Sequence, residues 1–192
     1  MKKELFTAIR MMIATTVLLG LIYPLAVTGI AQLIFPKQAN GSLIVSSSGQ
    51  VTGSSLLAQP FGSPQYFHPR PSAAGANGYD PTSSSGSYLG PTNKQLIDRV
   101  NSTTASLHAE NSSAPVPIDL VTTSGSGLDP EISPAAAEFQ VPRVARERRM
   151  SEDSVRELVR RHTLARQWGF LGEPGVNVLE LNLDLDRVSP AR

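Results

Sequence analysis

Twenty-five consecutive residues near the N-terminus, Met11 to Phe35, carry no charge. At a helical rise the run is roughly 37 Å long, enough to cross a hydrocarbon core of about 30 Å with some tilt. Lys2, Lys3 and Arg10 precede it and only Lys37 follows closely, so the positive-inside bias puts residues 1–10 in the cytoplasm and residues 36–192 outside. Gly29-Ile30-Ala31 would serve as a small-residue cleavage site. A signal-peptide core, however, is about 7–15 residues, and here the apolar stretch continues through Leu33, Ile34 and Phe35. We therefore expect an anchor over 11–35. Within it Thr16, Gly20, Pro24 and Thr28 recur every fourth residue. Small residues and Ser/Thr at close approach suit helix packing in lipid, so this seam is expected to face a partner helix.

The remaining chain has room for one modest domain. Beyond the tail and span it holds fourteen basic and fifteen acidic side chains, a balance that argues against nucleic acid. With no cysteine, disulfides, thiol catalysis and thiolate metal sites are excluded.

Residues 38–93 contain only two charges, Arg70 and Asp80, and are rich in Ser, Gly, Pro and Asn. Phe61, Tyr66, Phe67, Tyr79 and Tyr88 interrupt them, so an ordered, loop-rich region packed by its aromatics is expected after a short hairpin, 42–46 with 50–55. From residue 94 onward the pattern is helical and stranded. Thr92 and Gln95 have capping-box spacing, and Leu96, Ile97, Val100 and Leu107 follow at helical intervals. Residues 116–121 read as a strand. Ser133-Pro134 opens a helix that Pro142 ends or kinks, a second helix covers about 143–149, and Ser151 opens a third with Val155, Leu158, Val159 and His162 on its buried face. Leu179, Leu181, Leu183 and Leu185 alternate with polar residues, the period of a half-buried strand. The expected class is an α+β ectodomain on a single transmembrane helix.

Reactive constellations are sparse. The chain has no Walker-type phosphate loop and no nucleophile elbow. His68, His108 and His162 lack metal-ligand spacing, so neither catalytic nor metal-binding residues are assigned. Eight arginines between Arg143 and Arg166 read as solvated helix faces rather than an anion site. The Ser/Gly-rich turn Ser124-Gly125-Ser126-Gly127, between a predicted strand and a capped helix, has the composition of an anion cradle and equally that of an ordinary connection.

Several blocks in order carry a resemblance: Tyr23-Pro24 in the span, QANGSLI (38–44), YFHPRPSA (66–73), LGPTNKQLIDRV (89–100), PIDLVTTSGSGLDPEISPAAAEFQVPRVAR (117–146) and GEPGVNVLELNLDLD (172–186). Together they resemble the C-subunit family of the bacterial Kdp potassium-transporting P-type ATPase. Two departures, 83–88 and 147–150, bear on local loop shape. The resemblance implies a non-catalytic subunit of the inner membrane that supports assembly and raises the ATP affinity of a P-type ATPase subunit. The implied partners are that subunit, a potassium-channel-like subunit, a small single-span subunit and membrane lipid. It implies no firmly bound cofactor: ATP enters through the partner, and residues matching any direct nucleotide contact are Ser124, Gly125, Ser126, Gly127 and Gln140. The charge bias places that turn away from the cytoplasm, so topology and family description pull apart here. The competing class is an independent membrane-anchored periplasmic enzyme or solute-binding domain.

Overall fold

The computed structural model describes residues 2–46 and 49–189. It divides between Ser54 and Ser55 into two units, an apolar helix with a hairpin and a mixed α+β domain.

In the first unit α1 (Lys2–Val17) and α2 (Tyr23–Ile34) are joined without a break by a π-helical turn, Leu18–Ile22. The cause is Pro24. Its ring collides with the carbonyl four residues back and it offers no N–H, and the helix responds by widening: the Tyr23 N–H donates to the Leu18 carbonyl, five residues back. The whole helix is unburied, with Leu25 70% and Leu33 84% exposed, and one helix of this length and apolarity is enough to span a bilayer. A short α3 (Pro36–Ala39) follows, then β1 (Leu43–Val45) paired antiparallel with β2 (Val51–Ser54). These strands match the predicted hairpin; residues 47 and 48 at its turn lie outside the described residues.

The second unit is organised around α5 (Pro134–Arg148), which buries nine residues, among them Ala136, Phe139, Val141 and Val144. Ser133 caps it, its hydroxyl accepting the Ala136 N–H at 3.0 Å. Against α5 pack α6 (Glu152–Arg161) and a three-stranded antiparallel sheet. In the sheet β5 (Gly175–Asn177) lies between β3 (Glu131–Ile132) and β4 (Thr163–Leu164), with Ile132 and Thr163 both opposite Val176. The helix α7 (Val178–Val188) leaves β5 directly. α4 (Lys94–Glu110) contributes the half-buried Leu107 to the core margin.

Several local expectations are corrected. The leucine alternation over 179–185 is helix α7, not a strand: the Asn177 side chain accepts the Glu180 N–H at 3.0 Å and starts a helix. Val178, Leu181, Asn182 and Leu185 form its fully buried line, and Leu183 is only half-buried. Residues 116–121 form no strand; Ile118–Leu120 is a 3-10 turn, begun by Pro117 and closed by Leu120 N–H to the Pro117 carbonyl. Pro142 neither ends nor divides α5, because burial on nearly every side outweighs the one lost backbone bond. The cap of α4 is Asn93, one residue later than predicted, accepting the Gln95 N–H. His162 closes α6 at its C-terminus, half-buried and 3.2 Å from Asp184, rather than lying on the helix's buried face. Tyr88, expected among the packing aromatics, is 86% exposed.

The loop-rich region is nevertheless ordered, and its means of attachment is specific. After a turn over 63–66, closed by the Tyr66 N–H to the Ser63 carbonyl at 3.1 Å, residues 67–70 run as an extended strap between α5 and α7 and belong to no sheet. The Asn182 side-chain amide replaces a strand partner on one side: Oδ1 accepts the Phe67 N–H and Nδ2 donates to the Phe67 carbonyl, both at 2.9 Å. Backbone groups of successive residues in an extended chain point to opposite sides, and His68 is held from α5. Gln140 Oε1 accepts its N–H at 2.8 Å and Nε2 donates to its carbonyl at 3.1 Å. Phe67 itself is fully buried.

Two outcomes follow. Asn182→Leu strands a buried N–H and a buried carbonyl, each at about 1–3 kcal/mol. The full chain in detergent should therefore lose roughly 2–5 kcal/mol by denaturant titration, whereas Ser106→Ala on exposed α4 should be neutral. His68 is the second case. Burial, with the Arg143 guanidinium as a lesser cause, pushes its imidazole below the ordinary 6.5. A depressed folded value means that the unfolded chain takes up the proton first. The contribution is complete above about pH 6.5 and is lost as pH falls through the folded value. Thermal melts from pH 8 to 5 should show that loss, and His68→Gln should flatten it.

Candidate functional site

The predicted turn, in the segment before β3, meets the loop that follows the strap, at residues 72–74 and 84–85. Gly127 has φ +67, and a Cβ there would lie 2.5 Å from the Ser85 carbonyl oxygen and 2.8 Å from the Ala74 nitrogen; only glycine allows this approach. Ser124 is buried, while Gly125 and Ser126 are exposed. The Ser126 hydroxyl accepts the Leu128 N–H at 3.1 Å, and its carbonyl accepts from Ser85 N–H and the Ser84 hydroxyl. Ser72 donates its hydroxyl to the Gly127 carbonyl at 2.6 Å. Arg70 pairs with Asp129 at 3.0 Å, and Tyr79 donates to the Arg70 carbonyl at 2.9 Å.

Gln140 stands elsewhere in this network. Besides clamping His68, its Oε1 accepts from Arg143 Nη2 at 2.7 Å and its Nε2 donates to the Ala136 carbonyl at 3.3 Å. Four bonds use both donors and both lone pairs of the amide, and the side chain is 1% exposed. Gln140 thus holds the strap at His68, the Ser/Gly turn holds the loop beyond it at Ser72, Ser84 and Ser85, and the two share no bond among those of the described residues.

The arginine run separates into two populations. Arg143 and Arg148 are buried. Arg143 donates to the Pro64 and Tyr66 carbonyls and pairs with Glu110 at 2.8 Å. Arg148 donates to the Gln65 and Ser189 carbonyls, pairs with Asp186 at 2.8 Å and lies 4.7 Å over the Tyr66 ring. Tyr66 donates to Asp186 at 3.0 Å, and burial, then Asp186, raises its phenol above the ordinary range. These two arginines hold the turn before the strap, a role that composition does not signal. Arg156, Arg160 and Arg161 instead make surface pairs with Glu138, Glu152, Asp153 and Glu157. Arg149 occupies the left-handed position that closes α5, φ +55, within the 147–150 departure.

In the apolar N-terminal helix, residues four apart drift by roughly 40° per step in an α-helix, about 120° from Thr16 to Thr28. The π turn holds one extra residue and removes about 100° of that drift, so Thr16, Gly20, Pro24 and Thr28 fall close to one line. A Cβ on Gly20 would sit 3.8 Å from Thr16 Cγ2. Among the described residues no group of three or more His, Asp or Glu is placed to hold a metal ion.

Comparison with known proteins gives one family. Residues 5–187 match the model described as KdpC, the c chain of the K+-transporting ATPase. A potassium-transporting ATPase KdpC subunit of Koribacter versatilis is 59% identical over 190 residues, covering 99% of this chain and 97% of that protein. The subunit of the same name from Rhodopseudomonas palustris (strain BisB18) is 57% identical, covering 97% and 98%. That of Geobacter sulfurreducens is 52% identical, covering 98% and 100%. With a family model spanning nearly all of it and relatives above half identity from end to end, the chain belongs to the KdpC family.

Proposed function

We propose that the chain is a non-catalytic subunit of an ATP-driven potassium-uptake complex in the bacterial inner membrane. The observation that carries this reading is the end-to-end family match. It works beside a potassium-channel-like subunit, a P-type ATPase subunit and a small single-span subunit, supports their assembly, and raises the ATP affinity of the hydrolysing subunit. The residues 1–10 are cytoplasmic and the α+β domain lies outside, as the charges around the span favour. The Thr16/Gly20/Pro24/Thr28 line is the face that meets a partner helix, supported by its alignment through the π turn.

ATP is held by the ATPase subunit. Of the residues that match a nucleotide contact in the family, Gly127 and Gln140 act as structural members, supported by the close approach at one and the four bonds of the other. Ser124 is buried with them, so any direct contact falls to exposed Gly125 and Ser126.

A tagged chain extracted in detergent should bring down the ATPase and channel-like subunits in fixed ratio; recovery of the chain alone would overturn the assignment. A reporter active only outside the cytoplasm, fused after Arg192, should work, and a cytoplasmic reporter at the same place should be silent. Gly20→Leu should cut co-purification severalfold while Leu21→Ile leaves it unchanged, read from band ratios. Gly127→Ala should cost more than about 2 kcal/mol of stability in the full chain and Ser126→Ala no more than about 1. In an assembled complex carrying Ser126→Ala, ATPase rate at limiting ATP should equal that of the parent. A fall would make the turn part of the ATP response.

A further inference from the structure

Between β4 and β5 the chain makes an excursion, residues 165–173, in which every residue is exposed. Gln167 and Leu171 pair backbone to backbone, N–H to carbonyl both ways at 2.9 Å, and Trp168 and Gly169 turn between them with φ +51 and +82. The result is a tight tip carrying Trp168, 85% exposed, and Phe170, 68% exposed, with Leu164 and Leu171 also exposed beside them. A bulky indole in the left-handed region is strained, and burial returns nothing for it within the domain.

Charge identifies what such a tip meets. From Leu158 to Gly172 there is no acidic residue, while Arg160, Arg161 and Arg166 fall in the same stretch. Their partners are the flanking Glu157 and Glu173 in exposed pairs, which contribute little and exchange readily for other anions. Trp and Phe at the apex with arginines behind is the composition that settles at a bilayer interface, aromatic rings at headgroup depth and guanidinium groups on phosphate. The chain also carries its own membrane helix, so a bilayer is a constant neighbour at high effective concentration.

We propose that the 164–171 tip is a second membrane contact, which inserts Trp168 and Phe170 into the interface of anionic phospholipid. This rests on the reading of Lys2–Ile34 as a membrane anchor.

Trp168 is the only tryptophan in the chain, so its fluorescence reports the tip alone. The full chain is placed in nanodiscs of phosphatidylglycerol or of phosphatidylcholine, held by a scaffold protein without tryptophan, and titrated with iodide. In phosphatidylglycerol discs the emission should shift to the blue, resist iodide and be quenched by lipids spin-labelled near the headgroup. In phosphatidylcholine discs it should stay exposed. Replacing Arg160, Arg161 and Arg166 by Gln should weaken the protected state about fivefold per arginine, and Phe170→Ser, which keeps every charge, should also reduce it. An indole open to iodide in both discs overturns the proposal, equal protection in both overturns the anionic assignment, and protection appearing only when the partner subunits are added makes the tip a protein contact. A chain that enters neither disc overturns the anchor, and the proposal with it.

Discussion

Two side-chain amides hold an extended segment inside the core of this domain. Asn182 on α7 and Gln140 on α5 satisfy the four backbone polar groups of Phe67 and His68. An extended strap thereby crosses the core without a β-ladder. A buried strand normally satisfies its backbone through neighbouring strands; here the two helices do so through their side chains. Phe67 is carried into the centre of the core as a consequence. The long loop-rich region is tied down from there, through Arg70 to Asp129 and Ser72 to Gly127.

α5 acts as the hub because it serves two kinds of neighbour at once. Ala136 and Ala137 are small enough to be fully buried beside the larger Phe139 and Val141, while Gln140, Arg143 and Arg148 face the strap and the turn before it with donors. Burying two guanidinium groups is costly unless every charge is paired, and both are paired, with Glu110 and Asp186. They also take carbonyls of Pro64, Gln65 and Tyr66 that no strand reaches.

Much of the architecture is legible in the residues: the long apolar helix, the hairpin, the Ser133-Pro134 start of α5, the Ser151 start of α6, and the mixed class. What is illegible is where a polar side chain substitutes for an apolar one inside. The alternation over 179–185 reads as a strand because Asn182 looks like a solvent-facing position; once Asn182 counts as buried, the line 178, 181, 182, 185 is helical. Pro142 misleads for a related reason, since local preference carries no information on how completely α5 is enclosed. The Ser/Gly turn and Gln140 are matched to a nucleotide only through family resemblance. Composition gives no means of telling a cradle from a glycine forced by the Ser85 carbonyl, or a ligand amide from one whose valences are spent on His68. Nothing in the arginine run separates Arg143 and Arg148 from their surface neighbours, because the distinction is made by a turn some 80 residues away in the chain.

The widened turn at Leu18–Ile22 has a consequence for every residue beyond it. A helical wheel drawn from the sequence misplaces Tyr23 to Ile34 by about 100° relative to the N-terminal half of the helix. Side chains that such a wheel assigns to one flank of the span lie on another. The offset is set by the missing N–H of one proline, so the azimuth of the C-terminal half is written at a single position. Any change that let Tyr23 bond four residues back instead of five would swing that half about the helix axis without altering a single apolar residue.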